Sequence, residues 1–309
     1  MKIEKDKILV PLTTFRIGGL AKYFCAVTTT FELDEALDFA KGEKLPYLIL
    51  GGGSNLLISD DGFAGLVIKL DFKKVEFFGR EIECGAGASF SRIAQESVKY
   101  GLTGMEWAVG IPATIGGAVH NNCGAYGSDM QEIVDRVIVL RDEKIIQIDG
   151  NDCDYEYRHS IFKNLDNQDV ILSVVLKLDR GNKNRSDGMI KEILFARNKK
   201  IPKTPSAGSV FKGVAMSGRK IKKFKKQFSD MPQVFVAYEK IPAGWLIDQC
   251  RLKGREIGGA QVSDQHANII INTGEARATD VLELIELIKM EVRKKFGLRL
   301  EEEIEKVGF

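Results

Sequence analysis

Residues Gly110–Gly127, GIPATIGGAVHNNCGAYG, place five glycines in eighteen positions without a single Asp, Glu, Lys or Arg. Ile111, Ile115, Ala118 and Val119 are threaded between them, and Gly116 and Gly117 are adjacent. A solvated linker is richer in Ser, Lys and Glu. Glycines clustered in apolar surroundings mark a backbone that takes φ > 0 or lies flat against a neighbour. That neighbour can be a ligand or another core element, and composition does not separate the two. The amides of Asn121 and Asn122, each able to donate and accept, suit a large, flat, polyfunctional cofactor. A second cluster lies upstream. Pro46 precedes a short apolar run, Tyr47–Leu50, that reads as a buried strand and runs into Gly51-Gly52-Gly53-Ser54-Asn55. Backbone N–H groups in such a nest can hold a diphosphate without any lysine. The spacing is neither G-x-G-x-x-G nor a Walker loop. Taken alone, it reads better as a glycine turn between strands.

Bulk properties narrow the classes. A chain of 309 residues predicts two or three domains. Lys and Arg (45) nearly balance Asp and Glu (43), and a net +2 carries no nucleic-acid or membrane signature. No apolar run approaches a membrane span. The start, MKIEKDKILVPL, lacks the apolar core of a secretory signal, so a cytoplasmic location is expected. Cys25, Cys84, Cys123, Cys153 and Cys250 show no C-x-x-C spacing, and there are three His. No metal centre and no disulfide framework is expected.

Along the chain, Leu12–Gly19 reads as strand-like, and Phe31–Ala40 and Ser89–Tyr100 as helices. Gly65–Leu70, Val75–Phe78, Glu81–Cys84 and Val170–Leu178 read as strands. Val134–Leu140 and Lys144–Ile148 read as a hairpin. Gly181–Gly188 is expected to be a loop and Met189–Lys200 a helix, with Pro202 and Pro205 marking a domain boundary near 200. Gly218–Phe228 is dense in Lys and Arg, with Ile221, Phe224 and Phe228 at helical spacing. It reads as an amphipathic helix with a solvated basic face, or as a patch for nucleic acid or phosphate. Ala243–Cys250 reads as a helix and Ala267–Ile271 as a strand. Asp280–Phe296 is the clearest helix, with Thr279 to cap it and Gly297 to end it. Strands with interspersed helices, rather than a strict βαβ array, predict an α+β fold.

Three polar signals stand outside the glycine loops. Arg158 lies in Tyr155-Glu156-Tyr157-Arg158-His159-Ser160, and Arg fixes carboxylates by paired hydrogen bonds. Ser209 lies in Pro205-Ser206-Ala207-Gly208-Ser209, and a supported hydroxyl can relay a proton. Glu303 lies in an acidic tail. Each taken singly is an ordinary residue: a surface ion-pair Arg, a turn Ser, a solvated Glu.

Together the motifs carry a resemblance. Thr14–Gly19, Gly51–Leu57, Gly110–Gly127, Tyr157–Ser160, Pro205–Lys212, Lys253-Gly254, Ile257–Val262, His266–Asn268 and Leu300–Gly308 follow the order and spacing of the UDP-N-acetylenolpyruvoylglucosamine reductases, in their shorter form. The chain resembles that family nearly end to end. The resemblance implies an α+β, two-subdomain FAD-binding fold of the PCMH/VAO type plus a C-terminal α+β substrate-binding domain. Its expected divisions are 1–70 and 71–200 for the FAD subdomains, 201–300 for the substrate domain, and 301–309 for a tail carrying the catalytic Glu.

It implies non-covalent FAD held by Gly51, Gly52, Gly53, Ser54, Asn55, Gly110, Ile111, Pro112, Thr114, Gly116, Gly117, Asn122, Gly124 and Ala125. It implies NADPH as co-substrate and the enolpyruvyl ether of UDP-N-acetylglucosamine as substrate, in peptidoglycan precursor synthesis. Arg158 and Glu303 would stabilise the enolic form and Ser209 would donate a proton. The chain is expected to act as a monomer with no nucleic-acid or membrane partner. Departures are Ala113 where Pro-Gly-Thr is usual, Cys123 for Ala, Arg197-Asn198 for Arg-Arg, Gln265 for Lys, and a longer, basic link after Lys212. A left-handed Ala113 would strain the flavin loop. Two other readings remain: an oxidase of the same flavin fold with His120 as a flavin tether, and a nucleic-acid binder using Arg219–Lys226.

Overall fold

The computed structural model describes residues 1–164 and 169–309. It divides into two compact units. The first comprises Met1–Ile8, Leu20–Gly53 and Phe63–Lys199, and the second Leu9–Gly19, Ser54–Gly62 and Lys200–Phe309. The chain therefore leaves the first unit twice before residue 63, each time lending a short segment to the second.

The first unit is built on two sheets. One has strands Glu4–Ile8, Leu20–Val27, Phe63–Leu70 and Tyr47–Leu50, in that order. Its first pair is antiparallel and its other two pairings are parallel. Helix α1, Thr30–Gly42, buries Leu33, Ala36 and Ala40 in the core shared with this sheet and is capped by Thr29, whose side chain accepts from the Glu32 N–H. The second sheet is antiparallel: Lys144–Asp149, Val134–Arg141, Val170–Lys177, Glu81–Gly85 and Val75–Phe78. Val170–Lys177 lies at its centre, paired along both edges, and is buried on both faces, which is why its sequence, VILSVVLK, is nearly continuous in apolar residues. The hairpin turns through Asp142 and Glu143, both left-handed, matching the twist of the strands it joins. Helices α2 (Phe90–Lys99), α3 (Ile115–His120) and α4 (Lys183–Lys200) complete this part of the chain.

The second unit packs α8, Ala278–Phe296, against a sheet of Ser206–Ser209, Ile269–Asn272, Ala260–Val262 and Glu256–Ile257. Helices α5 (Gly218–Gln227), α6 (Gln233–Ala237) and α7 (Ala243–Gln249) precede α8 in sequence. Strand Glu305–Val307 pairs in parallel with Leu56–Ile58. Gly308 closes that pairing with φ +79, and a Cβ there would fall 1.9 Å from the Gly62 carbonyl oxygen, so no larger residue fits.

The α+β class stands, but three local expectations do not. Leu12–Gly19 is not a strand: Val10–Leu12 is a single 3-10 turn, and positive φ at Arg16 and Gly18 breaks extension. Its apolar residues anchor the segment instead, since Phe15 and Ile17 are buried in the second unit's core. Helix α4 begins at Lys183, not Met189, because Asn182 Oδ1 accepts the Arg185 N–H and the Ser186 hydroxyl bonds Glu106. Thr279 does not cap α8. The Asp60 carboxylate does so from 218 residues away, accepting from Ala278 N–H at 2.8 Å and Thr279 N–H at 3.2 Å.

Candidate active site

In the first unit the two glycine clusters come together. A Cβ on Gly51 would stand 2.6 Å from Thr114 Oγ1, and one on Gly52 would stand 3.0 Å from the Pro112 carbonyl oxygen and 3.5 Å from Thr114 N. These glycines are there because a second loop lies on them. The Gly110 stretch is itself pinned along the exit of strand Glu81–Gly85. Ile115 and Gly116 N–H groups donate to Ala88 and Ala86 carbonyls, both at 2.9 Å, and Phe90 N–H donates to the Ala113 carbonyl at 3.0 Å. Thr114 caps α3, its hydroxyl accepting from Gly117 N–H at 3.3 Å. Ala113 is not among the left-handed residues, so it brings no strain.

Packing leaves backbone donors over. Among the described residues nothing accepts from the N–H groups of Gly52, Gly53 or Thr114; Gly53 is buried, Thr114 half-buried and Gly52 exposed. A buried N–H is almost always paired, so the Gly53 donor, with those of Gly52 and Thr114 near it, marks a place for an acceptor. A diphosphate supplies such an acceptor in oxygens that need no proton. The donors therefore fit the phosphates of a dinucleotide.

Arg158 is strapped to the same stretch. It occupies a tight turn with φ +59, closed by mutual hydrogen bonds of 3.1 Å between Glu156 and His159. Its guanidinium donates to the Gly124 carbonyl at 2.9 Å and the Asn122 carbonyl at 3.4 Å. Asn122 Nδ2 donates to the Glu156 carbonyl at 2.9 Å, and Ser160 Oγ donates to the His120 carbonyl at 2.7 Å. The Asn122 side chain is thus spent on protein: its Oδ1 also accepts from Gln131 N–H at 3.2 Å. Its N–H donates to the Val119 carbonyl at 3.1 Å, so Asn122 serves to hold this stretch in place.

Arg197 is a cation that sequence reasoning passed over as a departure. Its guanidinium carbon lies 5.7 Å from the centre of the Tyr126 ring, and a Cβ on Gly110 would stand 3.2 Å from its Cδ. Burial pulls its pKa down, and its buried Nε has no partner among the described residues. A desolvated guanidinium beside a glycine wall calls for an anion. Nothing in its local sequence marks this placement, which rests on burial and on what packs beside it.

The second unit brings Ser54, Asn55, Ser209 and Glu303 together in one body. Glu303 N–H donates to the Val210 carbonyl at 2.7 Å, next to Ser209. Asn55 Nδ2 donates to the Glu303 carbonyl at 3.0 Å, and Glu305 N–H donates to the Asn55 carbonyl at 2.8 Å. Asn55 therefore ties down the tail that carries Glu303. Gly208, with φ +74, sits at the irregularity in pairing between Ser206 and Ser209. The Ser209 hydroxyl is half-buried and bonds to no described residue. Asn268, buried, clamps Phe211, two residues after Ser209: its Oδ1 accepts from Phe211 N–H at 3.1 Å and its Nδ2 donates to the Phe211 carbonyl at 2.8 Å. His266-Ala267-Asn268 is legible as a motif, but the clamp needs the strand pairing to be seen.

His266 begins that motif. Desolvation by burial lowers its pKa, helped by Lys200 and Lys253, and its Nδ1 accepts the Asn268 N–H at 3.3 Å. The unfolded chain therefore binds the proton more readily than the native one. The stability His266 contributes is present above the ordinary imidazole range, near 6.5, and is lost as pH falls below it. We expect melting temperature to drop between pH 7 and pH 5 more steeply for the wild type than for His266→Asn, which keeps an acceptor without the proton. Identical slopes would remove His266 as the cause.

Known proteins resemble this chain along nearly its whole length. A family model described as the C-terminal domain of UDP-N-acetylenolpyruvoylglucosamine reductase matches residues 200–307, and one described as an FAD binding domain matches residues 21–148. A UDP-N-acetylenolpyruvoylglucosamine reductase of Caldanaerobacter subterraneus subsp. tengcongensis is 38% identical over 96% of this chain and 90% of its own length. One of Lactobacillus acidophilus is 37% identical over 98% of this chain and 95% of its own. The crystal structure of the Thermus caldophilus reductase superposes with a TM-score of 0.79 at 32% identity, covering 100% of both chains.

Proposed function

Because this chain belongs to the UDP-N-acetylenolpyruvoylglucosamine reductases, we propose that it reduces the enolpyruvyl ether of UDP-N-acetylglucosamine to UDP-N-acetylmuramate, with bound FAD and with NADPH as reductant. The observation that carries this reading is the group of unpaired N–H donors at Gly52, Gly53 and Thr114. They would hold the FAD pyrophosphate, while Gly51, Gly110–Gly117, Gly124 and Ala125 would line the cofactor. Bound FAD supplies the hydride transfer that no side chain can perform.

The side chains do the rest. As charge builds on the carbon beside the substrate carboxylate, the Arg158 guanidinium stabilises it, held in place by the carbonyls of Asn122 and Gly124. Glu303, on the tail bound to Val210 and Asn55, would donate a hydrogen bond to the same enolic group. Ser209 would give the proton that completes the lactyl ether. No described residue accepts from its hydroxyl, which leaves that proton for substrate. Arg197 would pair with an anionic group of a bound nucleotide. Among the described residues no helix is long and apolar enough to cross a membrane. A cytoplasmic place in peptidoglycan precursor synthesis belongs to the same proposal.

The test is two-stage. Anaerobic NADPH should bleach the flavin absorbance of the purified protein, and the enolpyruvyl nucleotide should restore it. A colourless protein would remove the cofactor assignment. Bleaching without recovery would remove the substrate.

A further inference from the structure

Residues 213–241 carry seven Lys and Arg against two acids, Asp230 and Glu239. The segment is therefore net +5, and the rest of a chain whose total is +2 sums to −3. A balanced total conceals a strongly basic patch.

Six of the cations lie on α5, whose orientation is fixed by its apolar side. Ile221 and Phe224 are buried, and the rings of Phe224 and Phe228 lie 6.0 and 4.9 Å from that of Phe296 on α8. The Glu239 carboxylate accepts the Gly218 N–H at 2.8 Å, and strands Val214–Ala215 and Lys240–Ile241 pair to close the segment. With about 3.6 residues per turn, Arg219, Lys222, Lys223 and Lys226 share the arc opposite Ile221 and Phe224. All four are exposed, and none has an ion-pair partner among the described residues. On the neighbouring α6, Val234 is 48% exposed, and Tyr238, four residues on, is 75% exposed.

We propose that α5 and α6 form a docking surface for the anionic face of a lipid bilayer. Five of the six cations on α5 are Lys, a hydrated point charge suited to a diffuse headgroup field, whereas forked recognition of nucleic-acid phosphates and base edges favours Arg. The cationic arc holds no aromatic residue on which a base could stack. An exposed Tyr with an apolar neighbour suits the boundary between headgroups and acyl chains. Four to eight Lys and Arg on an amphipathic helix are attracted to anionic bilayers, each contributing about fivefold in affinity. The expectation of no membrane partner came from the net charge of the whole chain, which averages this segregation away. The inference does not depend on the reaction proposed above.

The test is flotation of the full chain with phosphatidylglycerol-containing vesicles and with pure phosphatidylcholine vesicles, at low and high salt. Binding should require phosphatidylglycerol and fall steeply with salt. Arg219→Gln, Lys222→Gln, Lys223→Gln and Lys226→Gln combined should lower it by about a hundredfold or more, at an unchanged melting temperature. Tyr238→Ser alone should weaken it severalfold. The salt series needs no variant, so it stands if the combined variant misfolds. Equal binding to both vesicle types, or no binding, overturns the proposal. So does tighter, equally salt-sensitive binding to a short DNA duplex, which would make the surface a nucleic-acid site.

Discussion

Ser209→Ala is expected to lower turnover by about 10²- to 10⁴-fold, the usual contribution of a general acid, while NADPH still bleaches the flavin at close to the wild-type rate. The structure makes this substitution unusually clean. The hydroxyl bonds to no described residue, so its loss leaves no protein group unpaired. The backbone that places it is held by others: Val210 N–H donates to the Asn268 carbonyl at 2.8 Å, and the Asn268 amide clamps Phe211. Stability should therefore hardly change. Stopped-flow absorbance separates the two half-reactions, and only flavin reoxidation by the enolpyruvyl nucleotide should slow. Ser209→Cys should recover part of the rate, because a thiol is a far stronger acid than an alcohol. Equal loss in both half-reactions would remove Ser209 from the role of proton donor.

Arg158→Lys is expected to reduce kcat/KM by about 10²- to 10³-fold, the range for removing one preorganised donor from developing charge. The charge is conserved, so the loss must come from geometry. The guanidinium spans two carbonyls, those of Gly124 and Asn122, and a lysine ammonium cannot reproduce that planar fork. Lys tolerates φ +59 no worse than Arg, so the turn between Glu156 and His159 should survive. FAD content should stay near stoichiometric while reoxidation slows. Near-wild-type kinetics in the Lys variant would mean that charge alone suffices and that the fork is structural.

Some of this was legible before any coordinates. The strand Glu81–Gly85 and the helices α1, α2 and α5 follow from local periodicity, because each buries a face its own sequence defines, and the strands Tyr47–Leu50 and Val170–Lys177 follow from their short apolar runs. Leu12–Gly19 read wrongly for the complementary reason. Phe15 and Ile17 are apolar, yet they serve as plugs in the second unit's core rather than as one face of a sheet. The cap of α8 was equally out of reach, since Asp60 sits 218 residues before the N–H it accepts. Arg158 and Ser209 were found as members of motifs. Arg197 and Asn268 were not recognised as site residues, because burial and partner geometry, rather than residue type, are what single them out.

The sequence by itself determined that two glycine-rich turns exist, that one follows a short strand (an edge strand, mostly half-buried rather than buried as its composition suggested), and that the chain keeps the motif order of its family. Only the tertiary structure decided that the turns lie against each other and leave the N–H groups of Gly52, Gly53 and Thr114 without acceptors. Only it placed Asn55 as the tether of the Glu303 tail. The physical reason is that glycine records permission for close approach but not the identity of what approaches. Whether a buried donor is paired depends on groups brought together from far along the chain.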